Sequence, residues 1–305
     1  MQLSIGILGT GWVGASVAVS LLHAGVAGEL LLSDMRAELA EGEAMDLAHG
    51  AAFYPAASVR AVGFDELLGT SALVIAAGRG GKPGESRLDL LRDNARVMRD
   101  VGARLRDYAG LVVVVTNPVD VLTYVVADAS GLPPERVIGT GTMLDTARLR
   151  QAIGETLGVA PHSVHAQVVG EHGDSEVVLW SSAHVGGLPL RHWPGWQRER
   201  EGPLAEQVRR AAYEIIKRKG ATNHAIGLTT AALLRSALRG ERRVLTVSRV
   251  QTGALGLRDG ALSLPAVVDV GGAVDVIPVK LDDVERQGLD HSADELRTAI
   301  ASLRE

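Results

Sequence analysis

A glycine spacing near the N-terminus narrows the possible folds more than anything else in the chain. Gly9-Thr10-Gly11-Trp12-Val13-Gly14 follows an apolar run at residues 3–8 and opens a segment with helical periodicity at 15–24. Glycine at the first position allows a tight turn after a strand, and at the second it lets the backbone approach a phosphate. At the third it lets the new helix lie close against the strand. The helix N-terminus then aims unpaired N–H groups and a positive dipole end at that phosphate. Asp34 stands 20 residues beyond Gly14, at the end of a second apolar run, Glu29–Ser33. A carboxylate there accepts hydrogen bonds from ribose hydroxyls and repels an added phosphate. The residues therefore point to NAD rather than NADP, despite Arg36 two positions on.

The same texture continues through the first 140 residues. A helical pattern covers Ala37–His49, and further apolar runs at 72–77 and 111–116 end at Gly or Asn-Pro, as buried parallel strands do. This alternation predicts an α/β fold, a Rossmann-type doubly wound parallel sheet that binds ligands at the carboxyl ends of its strands. From about Gly141 the pattern changes. Helices are expected at 146–157 and 203–219, strands at 244–250 and 262–270, and a surface connection at 191–202. A last helix is expected at 292–303, with Ser292 as N-cap and Glu295 three residues later. The chain thus divides into a dinucleotide-binding domain, 1–140, and a mixed α+β substrate domain, 141–305, packed together without a linker.

Composition removes whole classes of function. The 305 residues are 46% hydrophobic and 22% charged, which excludes disorder, and the net charge of −5 offers no footprint for nucleic acid. Without any cysteine there is no disulfide scaffold, thiolate nucleophile or sulfur-ligated metal. His162 and His165 lack a carboxylate at suitable spacing, so no metal is expected. The N-terminus has no basic, apolar leader, and no run of about 20 apolar residues could span a bilayer, so a cytoplasmic protein without a membrane partner is expected.

Polar residues that a core does not need cluster in four later segments. They are Gly84-Glu85-Ser86-Arg87-Leu88-Asp89-Leu90, Thr116-Asn117-Pro118-Val119-Asp120, Leu144-Asp145-Thr146-Ala147-Arg148-Leu149-Arg150 and Gly170-Glu171-His172-Gly173-Asp174-Ser175. In that order on this fold, the chain resembles the L-lactate/malate dehydrogenase family over nearly its whole length, and most nearly its bacterial L-lactate dehydrogenases. The resemblance implies reversible hydride transfer between NADH and a 2-keto acid, pyruvate to L-lactate first among them. It makes His172 the general acid and Asp145 the partner that fixes its tautomer and raises its pKa. Arg148, three residues after Asp145 and so on the same helix face, would grip the substrate carboxylate with its fork. Arg87 would be carried to the developing alkoxide by the glycine-rich lid at 78–84. Asn117 and Thr222 match positions touching substrate or nicotinamide, and Gly9, Gly11, Val13, Gly14, Asp34, Gly78 and Thr116 match the cofactor site.

One position departs from the family. Lactate dehydrogenases resemble one another in carrying Gln just before Lys82-Pro83, and malate dehydrogenases in carrying Arg; this chain has Gly81. No cation at that position pairs with a second substrate carboxylate, and no glutamine packs beside a methyl group. The open alternatives are malate dehydrogenase, a dehydrogenase for bulkier 2-hydroxy acids and, outside catalysis, an NAD-sensing protein. The intact proton donor and clamp argue against the sensor. Arg150 and His165 match positions where bacterial lactate dehydrogenases bind fructose 1,6-bisphosphate between subunits, and the resemblance implies a homotetramer. Alternatively, Arg150 continues a basic helix face and His165 caps a strand.

Overall fold

Short, continuously apolar runs form the centre of the molecule because both of their faces are covered. The computed structural model describes residues 3–80 and 87–303. The first half runs β1 (Ser4–Leu8), α1 (Trp12–His23), β2 (Glu29–Ser33), α2 (Ala37–His49), β3 (Ser58–Ala61), α3 (Phe64–Leu67), β4 (Ala72–Ile75), α4 (Arg87–Arg104), β5 (Leu111–Val114), α5 (Val119–Ser130) and β6 (Val137–Gly139). The strands lie parallel in the order β3-β2-β1-β4-β5-β6, which is the doubly wound Rossmann arrangement. Alternate side chains go to opposite faces. Leu73, Ile75, Val112 and Val114 enter one apolar core with α4 and α5. Ala72, Val74, Leu111 and Val113 enter another with α1.

The second half runs α6 (Met143–Leu157), β7 (Val164–His165), β8 (Val168–Val169), β9 (Val177–Val178), β10 (His184–Val185), β11 (Leu188–Pro189), α7 (Glu201–Lys219), α8 (His224–Leu238), β12 (Arg243–Thr252), β13 (Arg258–Asp269), β14 (Gly272–Val276) and α9 (Asp283–Ala301). It does not build a separate sheet for its long strands. β12 joins β6 antiparallel, with Ser248 opposite Gly139, and β13 and β14 extend the same sheet. α8 packs on α1, where Asn223 Nδ2 donates to Ser16 Oγ at 2.8 Å. The second half thus extends the sheet of the first and lies against the helix that follows the glycine turn. No helix among the described residues is long and apolar enough to cross a membrane.

Two sequence expectations are corrected. The last helix begins nine residues early, at Asp283, and its N-cap is Asp282, whose carboxylate accepts from the Val284 and Glu285 amides while Glu285 reaches back to Asp282 N. The capping pattern occurs twice, as Asp282-x-x-Glu285 and Ser292-x-x-Glu295. The apolar face of Leu289, Leu296 and Ile300 runs unbroken through the second, so Ser292 is fully buried in mid-helix. Residues 191–202 form the expected surface connection, held firmly in place. Arg191 makes a two-pronged bond to the buried Glu201 at 2.9 and 2.7 Å, and Trp193 and Trp196 pack on the core formed by α6 and α7. Helix α1 also starts three residues before the expected position, which brings its N-terminus onto the glycine turn.

Candidate active site

The dinucleotide half of the site is shaped by close backbone approach. Gly9, at φ +95°, turns the chain out of β1, and its amide donates to Ser33 O at 2.8 Å. A Cβ at Gly14 would lie 1.9 Å from the Gly9 carbonyl oxygen, so only glycine lets α1 sit this close. Gly11 is different: a Cβ there would meet no protein atom within 4 Å. It forms the N-cap of α1 without any side-chain cap, so the first-turn N–H groups are left to a ligand. Val13 lies within that turn, half-buried. Asp34 is positioned by Thr10 N at 2.8 Å on one carboxylate oxygen and by Arg36 N at 3.0 Å on the other.

Gly9, Gly11, Asp34 and Arg36 line a cleft of about 1070 Å³ together with Gly78, Arg79 and Asn94, and with Val62, Phe64 and Val101 farther along. Gly78 packs its α-carbon against Thr116, whose hydroxyl donates to Ala77 O at 2.7 Å and Ile75 O at 3.2 Å, tying the ends of β4 and β5 together. Asn117 is exposed beyond β5, before a cis peptide to Pro118, and its Oδ1 accepts from Val119 N at 3.2 Å. The open glycine turn, the free helix N-terminus and the carboxylate beyond them fit a dinucleotide.

The chemical half is assembled from distant segments. Helix α6 carries Asp145 and Arg148 one turn apart, and Arg148 Nη1 donates to Asp145 Oδ1 at 2.9 Å. The other oxygen, Asp145 Oδ2, meets His172 Nδ1 at 2.5 Å across 27 residues of sequence. The carboxylate is nearly inaccessible at 3% side-chain exposure, whereas His172 keeps 24%. The imidazole is thus open on one side only.

Its loop is pinned from several elements. Gly170 pairs with Ser263 of β13, Glu171 N donates to Ser292 Oγ of α9 at 2.6 Å, and His172 N donates to Asp120 Oδ2 of α5 at 2.7 Å. Burial opposes a charge on His172, but the Asp145 carboxylate and its hydrogen bond outweigh that, and the imidazolium persists to about pH 9. Burial also opposes the Asp145 charge, yet His172 and Arg148 hold the carboxyl below its ordinary range. The pair is therefore imidazolium and carboxylate at neutral pH, with the ring partly exposed.

The other expected residues fall as follows. Arg87 is the first residue of α4, with its side chain outside the description, and Gly81 lies outside the described residues. Thr222 is half-buried in the connection between α7 and α8, beside the Asn223 that bonds to α1. Arg150 and His165 are neighbours, since Arg150 Nε donates to the carbonyl of Ala166 at 3.0 Å. Burial and the nearby Arg243 lower the Arg150 pKa, while His165 is exposed opposite His184. Residue patterns put Asp120 in a polar segment without giving it a role, and missed Glu176. The signal for each was faint: Asp120 lies in the first turn of a largely apolar helix, and Glu176 precedes the run Val177-Val178-Leu179.

The chain is similar to known proteins along nearly its whole length. Residues 3–139 match the lactate/malate dehydrogenase NAD binding domain, and residues 142–305 match the lactate/malate dehydrogenase alpha/beta C-terminal domain. The chain is 44% identical to an L-lactate dehydrogenase of Salinibacter ruber over 307 residues, covering 98% of this chain and 97% of that one. It is 43% identical over 308 residues to an L-lactate dehydrogenase of Thermus aquaticus, with 99% of each chain covered. A minor L-lactate dehydrogenase from Enterococcus mundtii, solved with ligands bound, superposes with a TM-score of 0.96 at 39% identity over 99% of both chains. A lactate dehydrogenase from a Medee basin deep-sea metagenome library gives 0.96 at 38% identity over 100% of both. With its phosphate-ready glycine turn and its buried Asp–His pair, the chain belongs to the lactate/malate dehydrogenase family of NAD-dependent oxidoreductases.

Proposed function

We propose that the chain acts as an L-lactate dehydrogenase, interconverting a 2-keto acid and an L-2-hydroxy acid, with pyruvate as first substrate. The observation that carries this reading is the single carboxylate of Asp145, which holds both His172 at 2.5 Å and Arg148 at 2.9 Å. Residues 1–140 are read as the part that holds NAD, through Gly9, Gly11, Val13, Gly14, Asp34, Gly78, Thr116 and Asn117. Residues 141–305 supply the proton donor and clamp. When bound, NADH supplies the hydride.

The protein's own groups do the rest. Arg148 uses the prongs not engaged by Asp145 to hold the substrate carboxylate and so orient the carbonyl. His172 gives its proton to the carbonyl oxygen as charge develops there, and Asp145 stabilises the charged ring until that moment. In the reverse direction neutral His172 takes the hydroxyl proton. Arg87, at the head of α4, is the second cation offered to the developing alkoxide. Asn117 and Thr222 complete the wall around the reacting carbon.

Gly81 keeps the side-chain preference a matter for measurement. NADH oxidation is to be compared for pyruvate, oxaloacetate, 2-ketoisocaproate and phenylpyruvate by kcat/KM. The largest value for pyruvate supports the reading. A lead for oxaloacetate makes the chain a malate dehydrogenase, and a bulkier acid leading by about tenfold, or 1.4 kcal/mol, shows that Gly81 has enlarged the pocket. Arg150 and Arg243, with His165 beside them, suit a bisphosphate, so fructose 1,6-bisphosphate activation of a cytoplasmic homotetramer serving glycolysis and fermentation belongs to this reading. Unchanged activity across millimolar fructose 1,6-bisphosphate would remove the regulatory part.

A further inference from the structure

Glu176 is a buried acid that the mechanism above does not use. It stands at the exit of the His172 loop, one residue before β9, and is 5% exposed. Its Oε1 is buried with no hydrogen-bond partner among the described residues. Anchoring the loop does not explain it, because Ser292, Asp120 and Glu171 already hold that loop. The charges that face it are Asp145, His172, Arg209 and Arg148. Arg209 comes from α7, where it binds Glu206 through Nη1 and leaves a buried Nε without a partner. An orphaned acceptor thus lies within electrostatic reach of Asp145 and His172, and the Arg209 that also faces it carries an orphaned donor.

We propose that Glu176 is a positioning residue for proton transfer. Neutral, it leaves the imidazolium, the Asp145 carboxylate and the Arg148 clamp undisturbed; ionised, it holds His172 in its charged form and repels the incoming keto-acid anion. Isolated buried carboxylates are strongly disfavoured, and burial together with the adjacent Asp145 keeps Glu176 protonated up to about pH 8. The site therefore has two coupled ionisations on its alkaline side, of Glu176 and of His172. This inference rests on His172 being the proton donor.

The test compares the wild type with Glu176→Gln and Glu176→Asp in two ways. First, carbethoxylation of His172 by diethyl pyrocarbonate is followed by peptide mass spectrometry from about pH 6 to pH 10, without cofactor, substrate or turnover. The midpoint is expected to fall by about half a pH unit or more in Glu176→Gln, as befits loss of a nearby opposite charge, and to stay near wild type in Glu176→Asp. Second, kcat and KM for pyruvate reduction are measured over the same range. In wild type, kcat/KM should fall on the alkaline side more steeply than a single ionisation allows, with KM rising first. Glu176→Gln should show a single ionisation with KM flat until His172 titrates, and Glu176→Asp should restore the steeper fall. Coincident midpoints and slopes in all three proteins overturn the inference while leaving the proposed activity intact. A moved midpoint in a protein that reduces no keto acid supports the coupling and overturns the proposed activity instead.

Discussion

Replacing Asp145 by Asn removes one charge and keeps the shape of the side chain, and its effect can be worked from the site. Asp145 is the group that lifts His172 to about 9 against the cost of burial. Without that charge, the imidazole should return at least to its ordinary 6.5, a loss of about 3 kcal/mol of preference for the proton. At about pH 8 the protonated fraction then drops from roughly nine-tenths to about 3%, so reduction should slow at least thirtyfold through protonation alone. At about pH 6 the same arithmetic costs less than a factor of about two. The signature is thus a defect that grows with pH, added to a constant loss from the looser ring. The assay is kcat/KM for pyruvate from pH 5.5 to 9.5, with the oxidation of L-lactate run in parallel. The acid limb of oxidation, which needs neutral His172, should move down by the same interval. If both limbs stay in place and activity falls uniformly, Asp145 orients the ring without setting its charge, and the reasoning fails.

Other expectations concern the remaining parts of the molecule. In Gly14→Ala the new methyl carbon meets the Gly9 carbonyl oxygen at 1.9 Å, backbone against backbone. Helix α1 must then shift, and NADH dissociation measured by fluorescence should rise at least about tenfold, with the melting temperature falling too. Gly81→Gln should raise pyruvate preference over phenylpyruvate, and an unchanged ratio would show that the tail of the substrate does not meet this position. Stability should fall as pH rises. His172, Asp120 and Glu176 have folded-state pKa values of about 9, about 6 and about 8, all above their ordinary values. Each contribution is therefore complete below the unfolded value and lost as pH climbs through the folded one. Where Glu176 and His172 overlap, between about pH 6.5 and 8, the slope should reach about 2–3 kcal/mol per pH unit. Thermal melts in that window that do not move would contradict this. Asp145 acts in the opposite sense, its contribution being lost only as pH falls below the ordinary carboxylate range.

Much of this molecule was written locally. Each central strand is an apolar run because covered faces alternate with covered faces, and the phosphate turn is legible because only glycine can occupy Gly9 and Gly14. Helical spacing alone places Asp145 and Arg148 on one side of α6. The meeting of His172 with Asp145 was implied only by the family resemblance, since nothing in the spacing of residues 27 apart dictates it.

Tertiary structure decided the rest. It joined β12 to β6 through Ser248 and Gly139, turning two segments into one sheet. It chose Asp282 over Ser292 as the cap of α9, because a continuous apolar face overrides a local capping signal, and thereby freed Ser292 to hold the His172 loop. It also brought Asp120 of α5 to the backbone amide of His172, and Asp145 of α6 within electrostatic reach of Glu176. Periodicity records which face of a segment is buried, so it fixes elements; which polar groups meet depends on which buried faces pack together, and that is settled only when the whole chain closes around them.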